Sequence, residues 1–232
     1  MVMLDNILAK IRRFIPTQIY TFFQPAYHYS LSLLSALCYR FPSKKIKVIG
    51  VTGTKGKSTT TEIINVILET AGYKTAISNT IRYKISETST PNKFKMSMPG
   101  RFFVQKLLRQ AVNEKCDYII LEMTSQGTIQ FRHKFIELDA FVFTNLSPEH
   151  IESHGSYEKY RDAKIEIAKQ FAKSSKRPRI MVVNGDDREG QRFLEIETEI
   201  KKIYSLKDPS VPSPLLGEIN AYNVLAAVTL CR

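Results

Sequence analysis

Residues 48–60 read VIGVTGTKGKSTT. The apolar run Ile46, Val48, Ile49 and Val51 passes through glycines into a helix-forming pattern, which describes a strand turning into a helix. Gly53 and Gly56 permit backbone conformations in which successive N–H groups face an anion. Lys57 adds a positive charge, and the Ser58 hydroxyl suits a magnesium ion that accompanies phosphates. The helix expected over 57–71, stopped by Gly72, aims its positive dipole end at the same spot. The G-x-x-x-x-G-K-[ST] spacing would need glycine where Val51 stands, so the match is to its G-K-S end, preceded by T-G-T. The stretch therefore predicts a nucleoside triphosphate site formed by Gly53, Thr54, Lys55, Gly56, Lys57, Ser58 and Thr59. A glycine-rich turn that binds nothing would explain neither Lys57 nor Ser58.

From Lys45 onward, short β-rich apolar runs alternate with longer helical patterns, which predicts an α/β domain with a mainly parallel sheet flanked by helices. Strands are expected at 46–51, 74–78, 117–122, 140–144, 179–184 and 203–206. Helices are expected near 57–71, 100–115, 156–173, 186–196 and 218–231. The polar stretch Tyr83 to Lys95 reads as a mobile loop. Gly53 to Ser58, Glu122 with Thr124 and Ser125, and Thr144 to His150 each follow a strand. In a parallel sheet such strand ends share one edge, where ligands bind.

The chain of 232 residues is 43% hydrophobic and 24% charged, which speaks against disorder and against a multi-span membrane protein. Cys38, Cys116 and Cys231 fit no metal or redox spacing and read as reduced thiols of a cytoplasmic protein. A net charge of +12 suits an anionic partner. No nucleic-acid-reading module is recognisable, so no nucleic-acid partner is expected.

Residues 1–42 form a distinct segment before the domain expected over 43–232. Between Met1 and Lys47 there are seven basic residues and one acid, Asp5, so half of the net +12 lies there. Leu4, Ile7, Leu8, Ile11 and Phe14 recur at helical spacing, with Lys10, Arg12 and Arg13 off that stripe, which predicts a basic amphipathic helix. From Phe14 to Tyr39 no residue is formally charged, but Pro16, Pro25 and several polar positions argue against a membrane span. The expectations here are a helical hairpin packed on the main domain, or peripheral contact with an anionic membrane face.

Taken in order, VIGVTGTKGKSTT, LEMTSQGTIQFR and FTNLSPEHIESHGSYEKYRDAK closely resemble the Mur ligase family, with further agreement at VVNGDD (182–187) and GEINAYNVLAA (217–227). The likeness covers roughly Ile46 to the end and is greatest to the branch that adds the third residue to UDP-N-acetylmuramoyl-dipeptide. It implies an ATP- and Mg2+-dependent ligase that phosphorylates a substrate carboxylate and then lets an amino group displace phosphate. By resemblance, Lys57, Lys164 and His150 are catalytic; Ser58, Glu122, His150 and Lys164 serve the metal ions; Thr124, Gln130 and Arg132 contact the UDP-muramoyl-peptide; and Asn223 approaches the adenine. Lys164 matches a lysine carbamylated in related ligases, a change that turns a cation into a carboxylate. His154 is expected to shape the His-Gly turn, and Asn184, Asp186 and Asp187 to end a strand.

The sequence departs from the family pattern in several places. Thr124 replaces a serine, Glu149 an aspartate and Lys55 an asparagine, and MSMPG at 96–100 replaces T-T-P. No UDP-gripping N-terminal domain or amine-delivering C-terminal domain is recognisable, which predicts a truncated frame or completion by another chain. The competing readings are a folylpolyglutamate-type or lipid-linked-precursor ligase on the same scaffold, and a nucleotide-binding module without turnover.

Overall fold

The computed structural model describes residues 17–94, 96–149, 151–207, 215 and 217–232. Its centre is an eight-stranded sheet. In chain order the strands are β1 (Lys47–Thr52), β2 (Thr75–Ser78), β3 (Arg82–Ile85), β4 (Thr88–Pro91), β5 (Tyr118–Glu122), β6 (Ala140–Phe143), β7 (Ile180–Asn184) and β8 (Ile200–Tyr204). The helices are α1 (Thr17–Cys38), α2 (Lys57–Thr70), α3 (Arg101–Asn113), α4 (Ser125–Ile129), α5 (Ile151–His154), α6 (Tyr157–Ala172), α7 (Gly190–Leu194) and α8 (Glu218–Cys231).

The spatial order is β4-β3-β2-β5-β1-β6-β7-β8, with β2, β5, β1, β6, β7 and β8 parallel. The chain builds to one side of β1 through β2 and β5, then crosses to the other side at β6, so the switch of direction lies at β1. Register levels the carboxyl ends there: Val51 lies beside Glu122 and Thr52 beside Phe143. Ligands of open α/β sheets bind at such a point.

The parallel strands read as nearly continuous apolar runs because both of their faces are covered. Alternate residues feed two cores. Val48, Ile119, Leu121, Phe141, Phe143, Met181 and Val183 pack with Leu107 and Leu108 of α3 and Ile167 and Phe171 of α6. Ile49, Val51, Ile77, Ile120, Val142 and Val182 pack with Ile64 and Leu68 of α2 and Leu225 and Ala226 of α8.

Three local expectations are corrected. Tyr83 to Lys95 is not a loop throughout, because β3 and β4 form an antiparallel hairpin around the two-residue turn Ser86-Glu87. The turn lacks the usual glycine or asparagine, and Ser86 takes φ 53° itself. Buried Tyr83 anchors the hairpin, its ring 4.6 Å from that of Phe103, and Arg82 pairs with Glu62 at 2.6 Å. The last strand covers Ile200–Tyr204 rather than 203–206, since as an edge strand it carries Lys201 and Lys202, which hide it from an apolar-run reading. The helix expected over 186–196 shrinks to Gly190–Leu194, because the Asp187 carboxylate accepts the Glu189 and Leu146 N–H groups and holds the preceding residues in a turn.

α1 docks on the main domain, while the arm that would complete the expected hairpin, residues 1–16, lies outside the described residues. Ser32 donates to the Phe131 carbonyl at 2.8 Å. The Arg109 guanidinium donates to the carbonyls of Tyr39 at 2.7 Å and Arg40 at 3.1 Å, fixing the end of α1. Among the described residues no helix is long and apolar enough to cross a membrane.

Phe141 is fully buried, stacked 5.7 Å from Phe171 and 6.2 Å from Phe193. Phe141→Ala is expected to lower unfolding free energy by about 3–5 kcal/mol, measured by urea denaturation; a loss below about 1 kcal/mol would contradict the packing described.

Candidate active site

The glycine loop between β1 and α2 is held by the turn that follows β6. Thr54 N–H donates to the Asn145 carbonyl at 2.8 Å, Lys55 N–H to Asn145 Oδ1 at 2.9 Å, and Thr144 Oγ1 to the Lys55 carbonyl at 2.8 Å. Two glycines make this approach possible. A Cβ on Gly53, at φ 154°, would collide with Thr144 Oγ1, and one on Gly56, at φ 82°, would collide with the Asn223 amide. Gly56 caps α2, whose first residues, Lys57, Ser58 and the half-buried Thr59, therefore open onto the loop.

Lys57 and Glu122 meet below the loop. Lys57 Nζ donates to the Thr54 carbonyl at 2.8 Å and lies 4.0 Å from Glu122 Oε1. Burial lowers the Lys57 pKa, and the charges of Glu122 and Glu149 oppose the shift. Glu122 Oε2 accepts from Ser58 Oγ at 2.8 Å and from the Thr80 N–H at 3.0 Å. Thr80 was not anticipated, although its place just past β2 is the same strand-end signal that marks Glu122. A hydroxyl beside a buried carboxylate is a hard oxygen donor pair, the chemistry that magnesium requires. Among the described residues there is no cluster of three or more His, Cys, Asp or Glu side chains able to hold a metal alone.

Lys164 enters from α6. Ser156 caps this helix by accepting the Lys159 N–H at 3.2 Å, and Tyr160, Lys164, Ala168 and Phe171 form its buried stripe. Lys164 is 2% exposed; its Nζ donates to the Gly53 carbonyl at 2.7 Å and lies 4.9 Å from the Tyr160 ring centre. Its pKa falls well below the ordinary lysine value, first from burial and then from the Lys57 charge, while Glu122 and Glu149 pull the other way. Tyr160 OH shares a hydrogen with Thr54 Oγ1 at 3.0 Å, so α6 grips the loop at two points.

Glu149 pairs with Lys55 at 3.3 Å, so two of the departures from the family pattern face one another. His154 is buried, its ring 5.2 Å from that of Tyr160, in keeping with a part in shaping the turn. His150 lies outside the described residues. Asn223 is 1% exposed, behind Gly56, and accepts from Thr60 Oγ1 at 3.2 Å. There it lies against the glycine that opens α2. Asn184 closes β7 and donates to the Thr144 carbonyl at 2.9 Å, and Asp186 is engaged by Ser205 and Tyr222.

The remaining predicted residues gather beside this centre. Thr124 caps α4 by accepting the Gly127 N–H at 3.1 Å. Arg132 donates to Gln130 Oε1 and to the Met98 carbonyl. Arg101, which the sequence reading missed, donates to the Gln130 carbonyl at 2.6 Å and contacts His28 Nδ1 at 2.8 Å. Burial lowers the pKa of both arginines, and Arg101 lowers that of Arg132 further. Ser97 bridges the two regions through its contact with Thr80 Oγ1. The centre thus gathers a glycine loop at a helix N-terminus, a hydroxyl beside a buried carboxylate, a buried amine and two half-buried guanidiniums.

Residues 51–210 match the Mur ligase middle domain family. The chain is 34% identical over 226 residues to UDP-N-acetylmuramoyl-L-alanyl-D-glutamate–2,6-diaminopimelate ligase of Syntrophomonas wolfei, covering 86% of this chain and 45% of that protein. It is 29% identical over 230 residues to the ligase of the same name from Geobacillus kaustophilus, covering 87% of this chain and 47% of that protein. A solved structure of a ligase of that name superposes with a TM-score of 0.67 at 25% identity, over 79% of this chain and 42% of the other. The chain thus spans about half the length of the curated relatives it matches. With its sheet order, its glycine loop and the match over 51–210 in agreement, the chain belongs to the Mur ligase family, whose middle domain it contains.

Proposed function

We propose that this chain forms the ATP-binding core of a ligase that joins an amino acid to a UDP-N-acetylmuramoyl-peptide in the cytoplasm. The observation that carries the reading is the convergence of the glycine loop, the Ser58–Glu122 pair and the Lys164 amine at the switch point of the sheet. In this reaction a substrate carboxylate oxygen takes the γ-phosphoryl group of ATP and ADP leaves. The incoming amine then attacks the activated acyl carbon, phosphate departs, and the amine loses a proton. Magnesium neutralises phosphate charge. The chain's own residues do the positioning: the N–H groups at the start of α2 and Lys57 hold the phosphates, Ser58 and Glu122 would hold the ion, and the two arginines orient an anionic part of the muropeptide. In this assignment Thr124 and Gln130 support the arginines and line the muropeptide side, and His150 serves a second ion.

Lys164 is suited to carbamylation because carbon dioxide reacts with a neutral amine, and burial favours that form. The Gln130–Arg132 pair favours a muropeptide over a folate, whereas the basic N-terminal segment is the feature that would suit a lipid-linked precursor. A non-catalytic nucleotide-binding module would need neither Lys164 nor the arginines.

Equilibrium binding of UDP-N-acetylmuramoyl-dipeptide, with and without a non-hydrolysable Mg-ATP analogue, tests the substrate. Saturable binding lost in Arg132→Ala is expected; displacement by a folate or a lipid-linked precursor instead would reassign the substrate. For the nucleotide, Ser58→Ala and Glu122→Gln should each weaken Mg-ATP analogue binding by about ten- to a hundredfold, with little change in the absence of magnesium. Equal losses with and without the ion would remove these residues from the metal.

Lys164 offers two further measurements. With 13C-labelled bicarbonate, a carbamate resonance is expected in the wild type and not in Lys164→Met. In bicarbonate-free buffer the unfolded chain holds the Lys164 proton more tightly than the folded one, so stability climbs as pH rises toward the ordinary lysine value. The stability of wild type relative to Lys164→Met should therefore rise between about pH 7 and pH 10; a constant difference would show that the amine is not desolvated.

A further inference from the structure

α1 is amphipathic in the reverse sense. Its buried side, toward α3 and residues 131–135, consists of His28, Ser32, Ser35 and Ala36. Its outward side carries Phe22, Phe23, Leu34 and Leu37, which are 78%, 59%, 49% and 53% exposed, with Tyr27 between them. A helix packed on a globular domain in water ordinarily shows the opposite arrangement. Phe23, Tyr27, Leu34 and Leu37 recur at intervals of four, seven and three residues, so they share one face, with the exposed Ser30 between Tyr27 and Leu34. The stripe is rigidly presented, since Ser32, His28 and the Arg109 clamp fix the helix to the domain.

Charge identifies the occupant. No acidic residue stands between Asp5 and Glu62, and none of the residues from Phe14 to Tyr39 is formally charged. Cations bracket the apolar stretch, with Lys10, Arg12 and Arg13 before it in sequence and the exposed Arg40, Lys44 and Lys45 directly after it. A second copy of the chain would bring the same cations to the same face, and their repulsion would oppose pairing. An anionic lipid surface satisfies both features: aromatic and aliphatic side chains enter the boundary between headgroups and acyl chains, and flanking lysines and arginines meet phosphates. Pro25 and the polar buried side of α1 keep it from crossing.

We infer that α1 is an interfacial helix that seats this chain on an anionic membrane through Phe22, Phe23, Leu34 and Leu37. The surface binds lipid irrespective of what occupies the nucleotide site.

The chain contains no tryptophan, so Phe22→Trp and Leu37→Trp each supply a single reporter. The full chain is mixed with vesicles of equal parts phosphatidylglycerol and phosphatidylcholine, or of phosphatidylcholine alone, and read by co-sedimentation and tryptophan emission. The expected result is a blue shift from both reporters and binding at least about tenfold tighter to the anionic vesicles. Combined Phe22→Ser, Phe23→Ser, Leu34→Ser and Leu37→Ser should lower that binding by at least about tenfold while leaving Mg-ATP analogue binding unchanged. Should that variant fail to fold, the emission shifts of the two folded single-tryptophan chains decide. Absence of vesicle binding, binding without a blue shift, or a self-associating chain that serine substitution renders monomeric would each overturn the inference.

Discussion

The contact on which the site depends is the hydrogen bond from the buried Lys164 amine to the Gly53 carbonyl at 2.7 Å. It ties α6 to the first glycine of the loop in a place with no water to compete, where a polar contact is strong and an unpaired group is costly. Gly53 is drawn against Thr144, and the Asn145 backbone takes up the next N–H. The loop, the β6 turn and α6 therefore form one unit. Tyr160 repeats the tie at Thr54, so the loop conformation follows from the packing of α6 and not from glycine freedom alone.

A second layer of support lies behind α2. Asn223 of α8 sits where a side chain at position 56 would project and is held by Thr60. α8 thereby reads the absence of a Cβ at Gly56, and its close packing on α2 sets the direction of the helix dipole at the phosphate cradle. Residues far apart in sequence thus act on the loop from opposite sides: Lys164 pulls on its carbonyl and Asn223 props its amide end.

The parallel strands and their helices were legible because burial on both faces writes long apolar runs, and strand ends in such a sheet mark one edge. The glycine loop, Glu122 and Lys164 followed from that edge and from their motifs. What escaped was written in other terms. Tyr83 anchors a hairpin whose turn residue, Ser86, carries no signal for positive φ. Lys201 and Lys202 disguise an edge strand. Thr80 and Arg101 enter the site through tertiary contacts with Glu122 and Gln130, which no local period announces. Asn223 was visible in sequence, but its direction was not, since only the packing of α8 on α2 decides which way it points.

The charges at the centre explain why the fold tolerates a buried lysine at all. Lys57 and Lys164 share the neighbourhood of Glu122: burial lowers the pKa of both, the Lys57 charge lowers that of Lys164 further, and the carboxylate partly offsets both. The pKa values of Arg101 and Arg132 are likewise lowered by burial, and the Arg101 charge lowers that of Arg132 further. Cationic groups crowded in a buried place are costly to hold, and an anion bound beside them would stabilise the folded state by linkage. An ammonium at position 164 favours phosphate oxygens, whereas the carboxylate that the proposed carbamylation would create there would favour a hard cation. The same buried position can serve either need because α6 fixes where the nitrogen lies and leaves its charge to chemistry.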